Sequence, residues 1–400
     1  MKKIITILIL FAICCLSAKA QYAYISNSDD NNVSVINVAT NTVITLITVQ
    51  DDPWGVAASP DGNKVYVANQ NSNSVSVINT ANNSVSINIT VGNNPYGVAV
   101  SPNSGRVYVA NYNDFTVSVI NAAANAVIAT VPVGEQPYGL IVTPDGNFIY
   151  VANQTDGTVS VINGNTNNVS ATITVGSGPH DISVSPDGSK VYVVNSISNT
   201  VSVINTTSNT VSKTIHVGVM PYGVCVSPDG SKIYVTNEMD NTLSVIISSS
   251  NEVLTTFTVG NAPEGLAVSP DGSKLYVADY GGDSVTVINC ATNAVSARIS
   301  VGSGPIAQGK FISTHTTGFP SHGIESNEIA VFPNPSSDYI TIEAPLQSEV
   351  EISNIEGKLI KTLTATGNKT NVDVSALPCG IYVVQIKTEK GVAVEKFIKE

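Results

Sequence analysis

The sequence predicts an all-β chain: a seven-bladed β-propeller of four-stranded blades, closed by pairing N-terminal strands with a C-terminal strand, then a small β-sandwich. Three observations carry this. A proline recurs every 42 residues, at Pro53, Pro95, Pro137, Pro179, Pro221, Pro263 and Pro305. Each unit holds four strand-like runs separated by tight-turn residues. The two ends of the series supply complementary parts of one more unit.

Composition sets the class. Charged residues are only 12% of the chain, and Val, Thr, Asn and Ser recur throughout, pairing strand formers with turn formers. In residues 53–94 the four runs are 55–58, 64–69, 74–79 and 84–91. Pro60-Asp61-Gly62 marks the first connection and Asn82-Asn83 the third. Such turns between apolar runs give an antiparallel meander, and four short strands per 42 residues is the spacing of a propeller blade. The run Val65-Tyr66-Val67-Ala68 is apolar on both faces, as a strand packed between neighbouring blades must be. The innermost run is built of small residues, as in Gly97-Val98-Ala99-Val100.

The ends give the count. Residues 22–27, 33–37 and 43–49 match the second, third and fourth strands of the unit, and 306–312 matches only the first. Together they make a seventh blade and close the ring, which otherwise leaves blade faces exposed.

The repeated Tyr66-Val67-Ala68-Asn69, with Tyr108–Asn111, Tyr150–Asn153 and the nearest match Tyr234-Val235-Thr236-Asn237, resembles the YVTN family of β-propellers over about residues 22–312. That resemblance implies an exported or cell-surface protein. Related propellers include lactonase-like enzymes and subunits of periplasmic dehydrogenases, so it implies a fold more strongly than an activity.

The first twenty residues read as a signal peptide: Lys2 and Lys3, an apolar run over 4–16, then Ala18-Lys19-Ala20 before Gln21. Cys14 and Cys15 lack the preceding small residue of a lipoprotein site. No later run is long enough for a transmembrane segment. Losing Lys2, Lys3 and Lys19 takes the net charge from −12 to −15, which disfavours nucleic acid as a partner. Of five cysteines, Cys225, Cys290 and Cys379 remain, an odd number with no disulfide or zinc framework.

Residues 313–326 lose the repeat and read as a linker. Beyond it lie seven strand candidates, 329–332, 339–343, 349–353, 359–363, 371–374, 381–387 and 392–398, enough for a small sandwich over 327–400. Phe332-Pro333-Asn334-Pro335, Asn354-Ile355-Glu356-Gly357-Lys358, Leu377-Pro378-Cys379-Gly380-Ile381-Tyr382 and Lys396-Phe397-Ile398-Lys399 resemble the C-terminal sorting domain of type IX secretion substrates in Bacteroidota. Cys379 stands where a small or charged turn residue is usual. The resemblance implies the type IX machinery as a partner, passage through the outer membrane, removal of the domain, and a surface-attached or released propeller. A plain adhesive sandwich is the alternative.

The loops before the first strand and between the second and third strands are expected on one face, the Pro-Asp-Gly turns on the other. The first face varies between repeats; the second is nearly uniform. Variable loops on a rigid scaffold are where function is carried. At the centre of the variable face fall Trp54, Tyr96, Tyr138, His180, Tyr222, Glu264 and Ile306, expected to ring the channel mouth. Aromatic rings with a polar tip suit sugars, peptides or small organic ligands. The alternative is that each simply packs on the neighbouring blade. Acids gather there too, including Asp51, Asp52, Asp114, Asp156, Asp240 and Asp283, with no Lys or Arg of the propeller. They read either as solubility or as a surface for a cationic partner or calcium; no EF-hand spacing accompanies them.

No H-E-x-x-H, G-x-S-x-G or C-x-x-C is present, so no catalytic residue, metal site or cofactor is assigned. The expected function is an exported binding protein whose protein, glycan or small-molecule ligand is open. A lactonase- or lyase-like enzyme at the channel mouth, drawing on Glu264, His180 and Asp181, is the rival reading.

Overall fold

The computed structural model describes residues 21–313, 330–332, 335–354, 359–378, 380–388 and 391–399. The expected signal peptide, most of the linker, and Pro333, Asn334 and Cys379 lie outside them.

Six antiparallel four-stranded sheets follow one another. In the first, Pro53–Ala58, Lys64–Asn69, Ser74–Asn79 and Ser84–Thr90 lie in that order. The same pattern starts again at Pro95, Pro137, Pro179, Pro221 and Pro263; these are blades 1 to 6. A further sheet contains Tyr22–Asn27, Asn32–Asn37 and Thr42–Thr48, and it forms the closing blade.

Neighbouring first strands approach so closely that a Cβ on Gly55, Gly97 or Gly223 would stand 2.2–2.4 Å from the carbonyl oxygen of Tyr96, Tyr138 or Glu264 in the next blade. Only glycine permits this approach, so the first strands line the axis. Each second strand carries a buried tyrosine that packs into the following blade, as Tyr108 does against Leu140, Ile149 and Val151. Blades are also stitched at the rim of the Pro-Asp-Gly face. Lys64 Nζ donates to the Ala122 carbonyl at 2.7 Å, and Lys232 Nζ to that of Cys290 at 2.8 Å.

The stitching continues across the chain ends. Lys274 Nζ donates to the Val38 carbonyl at 2.7 Å, and the Tyr276 hydroxyl to Asn41 Oδ1 at 2.9 Å, so blade 6 meets the closing blade as any blade meets the next. Residues 305–312 complete that blade, though not as the continuous strand expected. They pair with Tyr22–Asn27 only through bridges at Asn27–Pro305 and Ala23–Ile312. Between these, Ala307 and Gly309 take φ of 47° and 112°. This turns the backbone toward blade 1, where Val56 and Ala58 N–H groups donate to the Gln308 and Lys310 carbonyls at 2.8 and 2.9 Å. The Ile306 carbonyl also accepts the Gly265 N–H of blade 6 at 3.1 Å, so the closing segment bonds to its own blade and to both neighbours.

The C-terminal unit has two sheets. One orders Ala330–Phe332, Tyr339–Glu343 and Lys369–Asp373; the other orders Leu359–Thr364, Glu349–Asn354, Gly380–Thr388 and Gly391–Lys399. Alternate residues Ile340, Ile342, Val350, Ile352, Val384 and Ile386 share one core with Phe397, the period-two pattern of a sandwich. Of the sorting-motif residues, Phe332 and Pro335 are exposed, while Lys399 is buried and bridged to Ser336. Gly380 opens the strand that runs to Thr388.

Candidate functional site

Backbone bonds place the variable loops together. The N–H groups of Gln70, Tyr112, Gln154, Glu238 and Tyr280, each just past a second strand, donate to carbonyls of the loop entering the same blade, at 2.8–3.0 Å. On the opposite face the turns repeat one device. Ser59 Oγ donates to Asp61 Oδ1 at 2.6 Å, and Gly62 takes φ of 72°. At the equivalent turn, Ser185 and Ser189 hold the Asp187 carboxyl down to about 2. Those acids serve the turn.

The start of each first strand in blades 1 to 6, Pro-x-Gly in all but blade 4, is bulged. Pro53 pairs with Asn69, and the next pair is Val56 with Val67, leaving one residue extra. A bulge re-aims side chains, and here the residue after the proline turns toward the axis. The sequence placed these residues around the channel mouth, as ligand contacts or as packing; their side chains meet across it. Trp54 and Tyr96 lie edge-on, with centroids 4.6 Å apart, and Tyr96 and Tyr138 are 4.5 Å apart. His180 is sandwiched between Tyr138 and Tyr222, at 3.7 and 3.9 Å. The Tyr138 and Tyr222 hydroxyls bond at 2.9 Å, although they belong to blades 3 and 5.

Burial divides the set. Tyr138, His180, Tyr222 and Glu264 are 3–6% exposed and Ile306 is fully buried, so these plug the axis. Trp54 and Tyr96 are half-buried and keep a face to solvent. Tyr112, absent from the sequence-derived ring, extends the plug outward at 4.9 Å from Tyr96. Its loop position gave no signal of this.

His180 Nδ1 lies 3.2 Å from the Tyr222 carbonyl oxygen. Burial pushes its pKa down to about 3, so it is neutral. Asp181 stands where most first strands have glycine. It is buried, accepts the Val224 N–H at 3.0 Å, and is raised to about 6 by burial. Both side chains are engaged by the scaffold, His180 with the Tyr222 carbonyl and Asp181 with the Val224 N–H.

The acids separate likewise. Asp114, Asp156 and Asp240 accept the N–H groups of Asn93, Glu135 and Val219 at 2.6–2.9 Å, and Asp283 accepts that of Gly304 at 3.1 Å. The first three cap the loop entering their own blade, and Asp283 caps the loop leading from blade 6 into the closing segment. Asp52 accepts the Trp54 indole N–H at 2.9 Å and the Asn71 amide at 3.1 Å, while Asp51 is exposed. Glu264 is the odd one. The Tyr222 hydroxyl bonds to it, burial and then the charge of Glu238 push its pKa well above the carboxylate range, and its Oε2 has no partner. A cavity of about 450 Å³ lies along outer strands near Pro132 and Thr172, with Asp156 as the one site acid in its lining.

Three overlapping stretches, residues 99–188, 146–237 and 187–270, match the model of the YNCE-like beta-propeller family. Residues 330–400 match the secretion system C-terminal sorting domain. These matches support a propeller over residues 99–270 and a secretion sorting domain over 330–400, the latter supporting secretion or a cell-surface location. Among solved structures it is similar to a hydrazine synthase of Kuenenia stuttgartiensis, at 20% identity and a TM-score of 0.61 over 78% of this chain and 95% of that one. It is also similar to a functionally unknown protein from Desulfotomaculum acetoxidans DSM 771, at 18% identity and a TM-score of 0.64 over 72% and 99%. At these identities the likeness is one of fold. No curated protein sequence matches the chain.

Proposed function

We propose that this is an exported binding protein whose ligand surface is the variable face of the propeller. The carrying observation is where apolar side chains meet water. On the described propeller, exposed large apolar residues outside the fourth strands are Phe115, Ile197, Val219, Met220, Met239 and Tyr280. All six belong to loops of the variable face, beside the half-buried Trp54 and Tyr96. Exposed apolar groups gathered in this way mark interaction sites. The Pro-Asp-Gly face offers turns already satisfied by their own serines.

In this reading residues 1–20 direct entry to the periplasm, 313–326 link the two domains, and 327–400 engage the type IX machinery. The propeller is then anchored or released at the surface. The test is retention of the mature protein on envelope fractions and glycan arrays. Trp54→Ala with Met239→Ser should abolish retention, and substitutions at Asp187 and Asp229 should not. Loss from the second pair alone would move the surface to the other face.

A further inference from the structure

Within that face one place lacks what its chemistry demands. Glu264 opens the first strand of blade 6 and is 5% exposed. Glu238 follows the second strand of blade 5 and is half-buried. Each has a buried Oε2 without a hydrogen-bond partner. They hold the repeat positions of Gln70 and Tyr96, whose side chains hydrogen-bond to each other across blades 1 and 2, and the charge of Glu238 also raises Glu264. A buried carboxylate oxygen without a donor is costly. Among the described residues neither carboxylate forms a salt bridge; the two ion pairs are Arg298–Asp279 and Lys369–Glu343. Lys64, Lys190, Lys232 and Lys274 are bound to carbonyls at the far face, and Arg298 bonds to the Val259 carbonyl. Among the described residues, no trio of acids, histidines or cysteines is arranged for a metal.

The surroundings define the missing donor further. The Tyr222 hydroxyl already serves Glu264 and Tyr138, so it has no second proton to give. Tyr280, 37% exposed, lies in the field of Glu264, Asp29, Asp52 and Asp283, and its ring offers a face to a cation. Beside Glu238, whose N–H donates to the Met220 carbonyl at 3.0 Å, Met220 and Met239 stand exposed. Flexible thioether chains suit an alkyl stem.

We propose that Glu238 and Glu264 form a subsite for a primary ammonium group on an alkyl stem, with the head between the two carboxylates and the stem over Met220 and Met239. An ammonium supplies three donors and a compact charge. This rests on the reading of the variable face as the ligand surface. A free polyamine and a lysine side chain of a peptide both carry this chemistry.

The test is calorimetric titration of the mature protein with pentylammonium, spermidine and Nα-acetyl-lysine methylamide, with pentanol as the neutral control. Saturable binding of pentylammonium but not pentanol is expected, weakening as salt rises. Glu264→Gln and Glu238→Gln should each weaken it by roughly tenfold or more, the scale of one charge-assisted hydrogen bond. Glu238→Gln, at a half-exposed position, keeps the test intact should Glu264→Gln fold poorly. Tighter binding of spermidine or of the lysine derivative assigns the source. No saturable amine binding, or binding unchanged in both variants, overturns the subsite. If the envelope retention described above persists in that case, the binding surface stands and only its ammonium assignment falls.

Discussion

Asp279 breaks a rule that the other blades keep, and mending it should stabilise the protein. At the end of each second strand stands an asparagine: Asn27, Asn69, Asn111, Asn153, Asn195 and Asn237. Each donates from Nδ2 to a hydroxyl seven residues on, as Asn111 does to Ser118 Oγ at 2.9 Å. Blade 6 has Asp279, fully buried. It accepts the Thr286 hydroxyl at 2.6 Å and the Gly260 N–H at 3.1 Å. Burial is the largest influence and raises its pKa from 3.8 to about 6; the Thr286 bond and Arg298 offset only part of that. A folded-state pKa above the unfolded one gives stability that is full below about pH 4 and is lost as pH rises through about 6. A rise from 3.8 to about 6 corresponds to about 3 kcal/mol at pH 7.5. Asp279→Asn restores the donor and removes the charge. It forfeits only a 4.0 Å contact with an Arg298 that is half-exposed, which is worth little. The propeller transition in scanning calorimetry should rise by roughly 5 °C or more at pH 7.5, and the gain over the parent should shrink toward zero near pH 4. A variant that melts no higher at pH 7.5, or whose gain is the same at both pH values, refutes the reasoning.

Closure gives a second prediction: a chain ending at Pro305 should melt several degrees or more below one ending at Ser326, and equal melting would remove the role assigned to residues 306–312. Third, the chain ending at Ser326 should fold yet stay in the periplasm of a type IX-competent host; normal surface levels of it would contradict the assignment of the tail. Fourth, Tyr138→Ala removes a buried ring and should cost about 3–5 kcal/mol, while Tyr96→Ala, half-buried, should cost less and reduce ligand retention; denaturant titration and the envelope assay separate the two. Fifth, Glu264→Gln removes a buried carboxylate whose pKa is raised, so it should stabilise the fold at neutral pH and lose that advantage in acid, checked by thermal melts at both.

Strand positions were legible because each depends on local chemistry repeated along the chain. The turn at Ser59-Pro60-Asp61-Gly62 and the run at Lys64–Asn69 need no distant partner to be recognised. The plug was only half legible. Position 54 and its equivalents stood out as a largely aromatic ring, but the bulge that swings them inward depends on how Pro53 and Val56 pair with Asn69 and Val67. The acids misled for a similar reason. Asp114 and Asp240 look like free surface charge until the N–H groups they accept, 21 residues earlier in sequence, are brought beside them. The Glu238–Glu264 pair joins adjacent blades, so no spacing within one repeat reveals it. The closing segment deviates from a strand because Ala307 and Gly309 take positive φ.

The placement of Pro305–Ile312 has a consequence for timing. These residues are the last of the propeller to be made, and the residues matched to the sorting domain follow within a few tens of positions. A ribosome that stops early leaves a ring missing its clasp and a chain missing its address. The two defects arrive together, so an unfinished disc cannot carry the tag that would send it out. Because the clasp grips both Tyr22–Asn27 and blade 1, the earliest residues of the disc also wait for the latest. The order of synthesis thus makes the tail a certificate of completeness, readable by any machinery that recognises only the tail.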